Sequence, residues 1–482
     1  MEKKLTRRGM LKSAAGIAAL SLFNPLRSEA STANGIERRI NIRVSPPGPK
    51  SLALLEDVRR YVGRTNYSGL YGIGLRNGGG VYIEDMDGNV YIDCLTAASS
   101  TILGYSQDEI ADAYYECAVK IQQTTFGYSP NEETIEFAKR LAGTTPGDFP
   151  KKALIGLSGS DSNCGAIEAA RKYTGRMGII SFNFAYHGST GLSQAASGFR
   201  SINEGAYDLN DPNFVRVPFP VTREEAKRVL KSIESVIAFG KTAAVMVETI
   251  QGDGGTLLAP EGFFRDLHRL LKEHKVLLID DEVQSGMGRT GRWCASEHEG
   301  IEPDIVVLGK GLSAGYAPVS AIVGREDVID SLVPAAHIFT YAGHGPSVSA
   351  ASKTIDIIKE KNLIDNARKI GTRLLKGLKD AERYPDVVIE ARGRGCMIGI
   401  EINISKDPLA SKIFAYRCVE KGAYVGYIGD RQRVIRILPP IILSEGECDT
   451  IIGIVHETAA EMHKGKVPRA TIDKVKRFAL GW

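Results

Sequence analysis

"LLIDDEVQSGMGRTG", residues 277–291, carries four features in fifteen residues. An apolar run leads into Asp280, Asp281 and Glu282, then Val283-Gln284, then a glycine-rich loop with Arg289. A short apolar run ending at turn signals predicts a buried strand of a parallel sheet. Carboxylates at its carboxyl end could cap a helix or sit in a solvated turn. They could also serve a ligand, because open α/β sheets bind ligands outside the carboxyl ends of their strands.

The pattern repeats outward from that strand. Between about 105 and 360, the runs "KALIGLSGS", "GIISFNF", "AAVMVETI", "VLLIDDE", "DIVVLGKG" and "SAIVG" alternate with helical patterns. Such alternation predicts βαβ units, hence an α/β fold whose large domain is a mostly parallel sheet covered by helices. Residues 34–104 form an N-terminal segment expected to join a smaller domain. Its polar, basic start wraps over another element, and "GGGVYIEDMDGNVYIDCL" alternates with period two around Asp87-Gly88-Asn89, as a hairpin does. A helical stretch from about 346 to 382 leads into a C-terminal α+β part, taken as residues 361–482, with strands near "MIGIEI" and "RVIRILPP".

The 482 residues are 43% hydrophobic and 24% charged, ordinary values for a globular protein of two or three domains. The formal charge of +4 resides in residues 1–30, where six basic residues face two acidic ones. The neutral remainder argues against a nucleic-acid partner. "TRRGMLK", Thr6 to Lys12, followed by the weakly apolar "SAAGIAALSLF", predicts a twin-arginine export signal over residues 1–33, with cleavage after Ala30 or Ala33. The apolar run is too short for a stable membrane anchor, so a periplasmic location is expected. The seven cysteines are unpatterned and read as buried hydrophobes rather than a disulfide framework. No histidine or cysteine spacing suggests a metal. His268, His274 and His298 read as surface groups, Arg289 as structural, and "SEHEG" as a solvated turn.

Two further segments carry chemistry. "KKALIGLSGSDSNCGAIEAARKY" reads as strand, tight turn and helix, with Gly159 and Ser160 where backbone N–H groups at a helix start could hold a phosphate. Simple capping by Ser160 or Asp161 is the alternative. A nucleophile elbow fails because the fifth position of G-x-S-x-G is Ser160. In "DIVVLGKGLSAG", Lys310 follows a buried run and lies between Gly309 and Gly311. An amine among apolar groups has a lowered pKa and becomes a nucleophile, although a lysine there can also snorkel to water. Together, a phosphate cradle, a strand-end lysine and a strand-end carboxylate meet the needs of pyridoxal 5′-phosphate. Asp281 is the candidate partner of the ring nitrogen, with Val283 against a ring face.

The segment from Leu277 through "GRWCASEHEGIEPDIVVLGKGLSAGYAPVSAIVG" resembles the signature of class III aminotransferases, pyridoxal-phosphate enzymes of fold type I, and the likeness runs from about 75 to 460. The resemblance implies Lys310 as the lysine that joins the cofactor, Asp281 at the ring nitrogen and Gln284 near the ring hydroxyl. It implies Tyr186 of "AYHGST" on the other ring face with His187 beside it, and Glu248 of "VETIQGDGG" supporting the substrate pocket. It implies that Thr340 of "FTYAGHG" binds the phosphate of the neighbouring subunit in a homodimer. Arg436 of "RVIRILPP" would clamp a substrate carboxylate. "ETIQGD" lacks the proline common after the glutamate, and "AGHGPS" replaces the commoner "GGNP".

"SGSD", "YTGR", "YHGST", "QGDGG", "FTYAG" and the terminal "GW" resemble the amino-acid 2-epimerases of the isoleucine-epimerase type within the same family. The first expectation is an aminotransferase acting between an amino acid, or related amine, and a 2-oxo acid. A racemase or epimerase on the same scaffold is the second, and a catalytically silent binding protein the third. Asp253, in the "QGDGG" loop, could pair with Arg436, act as a second base opposite Lys310, or simply structure the loop.

Overall fold

The computed structural model describes residues 35–66, 69–199 and 211–479. The twin-arginine segment, both cleavage sites and the terminal Gly481-Trp482 lie outside them. Seven strands form the large sheet, in the spatial order Lys151–Gly156, Ser320–Arg325, Ile305–Leu308, Leu277–Asp281, Thr242–Val247, Gly178–Phe182 and Phe214–Val217. The Leu277–Asp281 strand therefore sits at the centre. It pairs in parallel with Ile305–Leu308 on one side and Thr242–Val247 on the other.

The strand residues are fully buried because both sheet faces are covered. Alternation sends Leu277 and Ile279 into a cluster with Ala166, Ile167 and Ala170 of the Gly159–Thr174 helix. Leu278 points the other way, toward Val229 and Ile233 of the Arg223–Ile237 helix and Phe263, Phe264 and Leu267 of the Phe263–Glu273 helix. The Arg223–Ile237 helix begins at a capping box, in which Thr222 accepts from the Glu225 N–H and Glu225 reaches back.

Three details differ from the sequence reading. Ser320–Arg325 runs antiparallel to both neighbours. Its link to Ile305–Leu308 holds only the one-turn 3-10 helix Lys310–Ser313, and a parallel return needs a longer crossover. The edge strand Phe214–Val217 was not anticipated, since "FVRV" is only four residues long and is interrupted by Arg216. The helical stretch from 346 to 382 is two helices, Gly345–Glu360 and Leu363–Lys379, broken at Asn362 in the left-handed region.

The hairpin of Tyr82–Asp85 and Val90–Asp93 turns at Gly88, whose φ of +87° suits glycine. Its second strand pairs in parallel with Ala423–Tyr424, which brings the N-terminal segment against the C-terminal part. There, Val388–Arg394, Met397–Ile402, Val434–Ile437 and Gly426–Ile428 form an antiparallel sheet. Ile36, Ile40 and Ile42 of the basic leading segment pack on the same core. Among the described residues no helix is long and apolar enough to cross a membrane.

Arg289 ties these parts together. It is fully buried and donates from Nε to Ser99 Oγ at 3.0 Å and from Nη2 to Thr96 Oγ1 at 3.3 Å. Its Nη1 donates to the carbonyls of Cys396, at 3.3 Å, and Pro439. Thr96, Ala97, Ala98 and Ser99 all have positive φ, between +44° and +84°. Four successive left-handed residues with side chains are strained at about 1–2 kcal/mol each, and Arg289 clasps both ends of that turn.

Candidate active site

The carboxyl ends of the central strands open onto a cavity of about 180 Å³. Gly159, Ser160, Asn163, Tyr186, His187, Gly188, Glu248, Asp281, Val283, Gln284 and Lys310 line it. Nine of these are sequence candidates; Asn163 and Gly188 are additions. Asp253 and Arg436 stand beside the cavity, near enough that both act on the charge of Lys310. Thr340 is exposed and does not line it, and its carbonyl accepts from Gln123 Nε2 at 2.7 Å.

Strand alternation separates the three acids of the opening stretch. Asp281 turns toward the Gly159–Thr174 helix and the cavity, whereas Asp280 and Glu282 face away. Asp281 is 3% exposed and well bound: Oδ2 accepts from Asn163 Nδ2 at 2.8 Å and His187 Nδ1 at 2.7 Å, and Oδ1 from the Val283 N–H at 3.1 Å. Asn163 also donates to the His187 carbonyl at 2.7 Å. Its position on the helix face beneath Asp281, four residues after Gly159, was the available signal, but reading it needed the strand's neighbours.

Lys310 begins its 3-10 turn with φ at +43°, directly after the extended Gly309. Burial pushes its amine below the ordinary lysine range, opposed by Asp253 and assisted by Arg436. Glu248 is buried and accepts from the N–H groups of Tyr186 and Gly252, each at 2.9 Å. Burial raises its carboxyl to about 7, with His187 opposing and Asp281 adding to the rise. Arg436, 4% exposed, forms an ion pair with Asp253 through Nη2. Burial favours a neutral Asp253, but Arg436 and Lys310 outweigh it and hold the carboxyl below its usual range.

Glycines leave room where side chains crowd. A Cβ on Gly159 would come within 3.0 Å of Val283, and one on Gly252 within 2.2 Å of Gln284 Oε1. The helix at Gly159 starts with a capping box between Ser158 and Asp161, leaving its first N–H groups directed at the cavity. Ser160 Oγ accepts from the Ser189 N–H at 3.2 Å.

Other expectations resolve nearby. Ala295–His298 is a one-turn 3-10 helix, not a solvated turn, and the Ser296 N–H donates to Glu282 at 3.0 Å. His268, His274 and His298 are half-buried rather than surface groups. His298 Nε2 lies 3.1 Å from the Thr290 carbonyl, and burial depresses its pKa to about 4. All seven cysteines are free, six buried and Cys164 half-buried.

The sequence pattern described as Aminotransferase class-III matches residues 66–459. The chain belongs to the class-III aminotransferase family. Curated relatives include the alanine/serine racemase of Pyrococcus horikoshii, 33% identical over 89% of this chain and 95% of that protein. The isoleucine 2-epimerase of Lentilactobacillus buchneri is 30% identical over 90% and 99%. The acetylornithine aminotransferase of Methanothermobacter thermautotrophicus is 32% identical over 80% and 94%. Among solved structures, the ornithine aminotransferase of Toxoplasma gondii aligns with a TM-score of 0.77 at 25% identity, over 87% of this chain and 97% of that one.

The class-III fold is that of fold type I transferases, and membership implies pyridoxal phosphate. The residues present fit it. Asn163 Oδ1, His187 Nε2 and Gln284 Oε1 are buried at the cavity with no partner among the described residues, which a polar heterocycle with a hydroxyl can satisfy. The helix start offers N–H groups to a phosphate. Among the described residues no cluster of histidine, cysteine or acidic side chains could hold a metal.

Proposed function

We propose that this class-III enzyme is a pyridoxal-phosphate-dependent racemase or epimerase of amino acids, exported by the twin-arginine route to the periplasm. The carrying observation is Asp253: a carboxylate held ionised by Arg436, within electrostatic reach of the Lys310 amine. Inverting a carbon needs a proton taken on one face and returned on the other, and an amine and a carboxylate at one site can divide that work. The lengthwise match to named racemases and epimerases supports the same reading. Transamination is the second reading, favoured by the acetylornithine aminotransferase relative.

Pyridoxal phosphate, when bound, supplies an electron sink that acidifies the substrate α-C–H. The chain's residues do the rest. Lys310 would hold the cofactor and, when free as a neutral amine, would move the proton on one face. Asp281, fixed by Asn163 and His187, partners the ring nitrogen. Val283 and Tyr186 would hold the ring between them, Gln284 would meet its hydroxyl, and the N–H groups of Gly159 and Ser160 would hold the phosphate. Glu248 braces the pocket through the Tyr186 and Gly252 N–H groups. Arg436 binds the substrate carboxylate and so releases Asp253.

A homodimer belongs to this proposal. Thr340 lies outside its own cavity, and Val333, Ile338 and Tyr341 around it are 59%, 43% and 58% exposed. A second copy would cover them and receive Thr340 at its phosphate.

The test is to incubate holoenzyme with single L-amino acids in deuterated water, with and without 2-oxo acids, and to separate the enantiomers. Inversion without a 2-oxo acid, with deuterium in both enantiomers, is expected. Asp253→Asn should cut inversion by roughly 10²–10⁴-fold, the effect of losing a general base, while exchange persists on one face. Turnover that strictly requires a 2-oxo acid would instead establish transamination.

A further inference from the structure

Asp280 and Glu282 have no part in the mechanism above, yet both are buried, at 0% and 1% exposure. They flank Asp281 on the opposite face of the strand end. Asp280 Oδ1 accepts from Thr249 Oγ1 at 2.9 Å. Glu282 accepts from the Ser285 hydroxyl at 2.5 Å and the Ser296 N–H at 3.0 Å. Asp280 Oδ2 is buried with no hydrogen bond of ordinary length among the described residues, while the Ser296 hydroxyl and the Glu282 carboxyl both lie near enough to act on Asp280. No described cation pairs with either acid. The other titratable groups facing them are Asp281 and the Cys294 thiol, which burial itself keeps protonated.

Two carboxylates in contact, dry and without a cation, cannot both ionise. Two neutral acids would forgo the strong bond between an acid and its conjugate base. We propose that Asp280 and Glu282 share one proton and stand as a single fixed negative charge behind Asp281, a positioning pair that raises the proton affinity of the cofactor ring nitrogen Asp281 faces. The pair rests on the cofactor reading above, but not on which reaction the enzyme performs. Burial pushes Glu282 well above the ordinary carboxylate range, and the neighbouring Asp280 adds to the rise. The charge contributes by keeping the ring protonated, which is the state in which it withdraws electrons from the substrate.

Substitution separates proton from charge. In Asp280→Asn or Glu282→Gln, the amide donates to the remaining carboxylate, so the shared proton goes and the charge stays. The double variant loses both. Asp280→Val leaves Glu282 buried without its partner and therefore neutral, so the charge goes and a proton stays. Infrared difference spectra of the cofactor-free protein near neutral pH, each variant minus the wild type, should show one buried protonated carboxyl lost in the two single amide variants and kept in Asp280→Val, the raised Glu248 carboxyl being common to all and cancelling. In holoenzyme carrying ¹⁵N-labelled pyridoxal phosphate, nitrogen NMR should place ring deprotonation at the wild-type pH in the single amide variants. In the double variant and Asp280→Val, the ring's proton affinity should fall about tenfold or more, the order expected for one charge roughly 10 Å away in a partly screened interior. Asp280→Val supplies this readout should the double variant fail to fold. Single amide variants that lose no protonated carboxyl relative to the wild type, or ring titration unchanged when the charge is removed, would overturn the proposal. Loss of inversion activity with these signatures intact would count against the racemase reading alone.

Discussion

Replacing Arg289 by Met tests whether one buried guanidinium holds the strained turn against the glycine loop. The apolar stem is preserved and every donor is lost. The hydroxyls of Thr96 and Ser99 keep their other bonds, to the Leu438 and Gln284 carbonyls, so each costs about 1 kcal/mol. The Cys396 and Pro439 carbonyls lose a buried charged donor, at about 2 kcal/mol each. Against this total of about 6 kcal/mol stands the relief of no longer burying the cation. Burial lowers the Arg289 pKa from 12.5 to about 10, equivalent to about 3 kcal/mol. The net expectation is a loss of about 3 kcal/mol, read as a lower urea midpoint with the slope unchanged. Hydrogen exchange should accelerate at 96–101 before it does in the central strands. Because Ser99 Oγ donates to the Gln284 carbonyl at 2.9 Å, cofactor affinity should weaken as well. A stability change below about 1 kcal/mol, a size common for surface substitutions, with unaltered exchange at this turn, would refute the assignment.

Lys310→Ala should abolish turnover and the visible absorption of the bound cofactor while leaving the fold intact; full activity would remove the cofactor assignment. Glu248, with a pKa raised to about 7 in the fold, binds more protons folded than unfolded between its ordinary value and 7. Stability of the cofactor-free protein should therefore fall as pH rises through that window, by up to about 3 kcal/mol, and Glu248→Gln should flatten the decline in pH-dependent urea titrations. Replacing Arg7 and Arg8 by Lys should retain folded, active enzyme in the cytoplasm; normal processing of that variant would contradict twin-arginine export.

Much of the site is legible in the sequence because strand ends advertise themselves. Asp281 and Lys310 each terminate an apolar run at a glycine-rich turn, and local pattern suffices to single them out. Asn163 is different: it lies mid-helix, and only the packing of that helix under the Leu277–Asp281 strand turns it into a ligand of Asp281. The reversed strand Ser320–Arg325 eluded the reading for a related reason. Its apolar run looks like those of the strands that run parallel to one another, and direction is set by the brevity of the preceding connection. The histidines misread as surface groups show the limit of spacing arguments: His298 is half-buried and meets the Thr290 carbonyl, eight residues away in the glycine loop.

If Arg436 takes the substrate carboxylate, as proposed, its ion pair with Asp253 would make the enzyme its own competitive inhibitor. A substrate carboxylate must displace a tethered one, so apparent affinity is reduced by the fraction of time the internal salt bridge is closed; a preference of 1.4 kcal/mol would weaken it about tenfold. The same exchange arms the displaced group. With Arg436 turned to the incoming anion, Asp253 would lose the larger of the two influences that depress its pKa, leaving Lys310, and burial would drive its basicity upward. A weak base at rest thus becomes a stronger one only with an acid-bearing ligand in place. Amines without a carboxylate would leave Asp253 neutralised, and the resting site would be shielded from idle proton exchange with water.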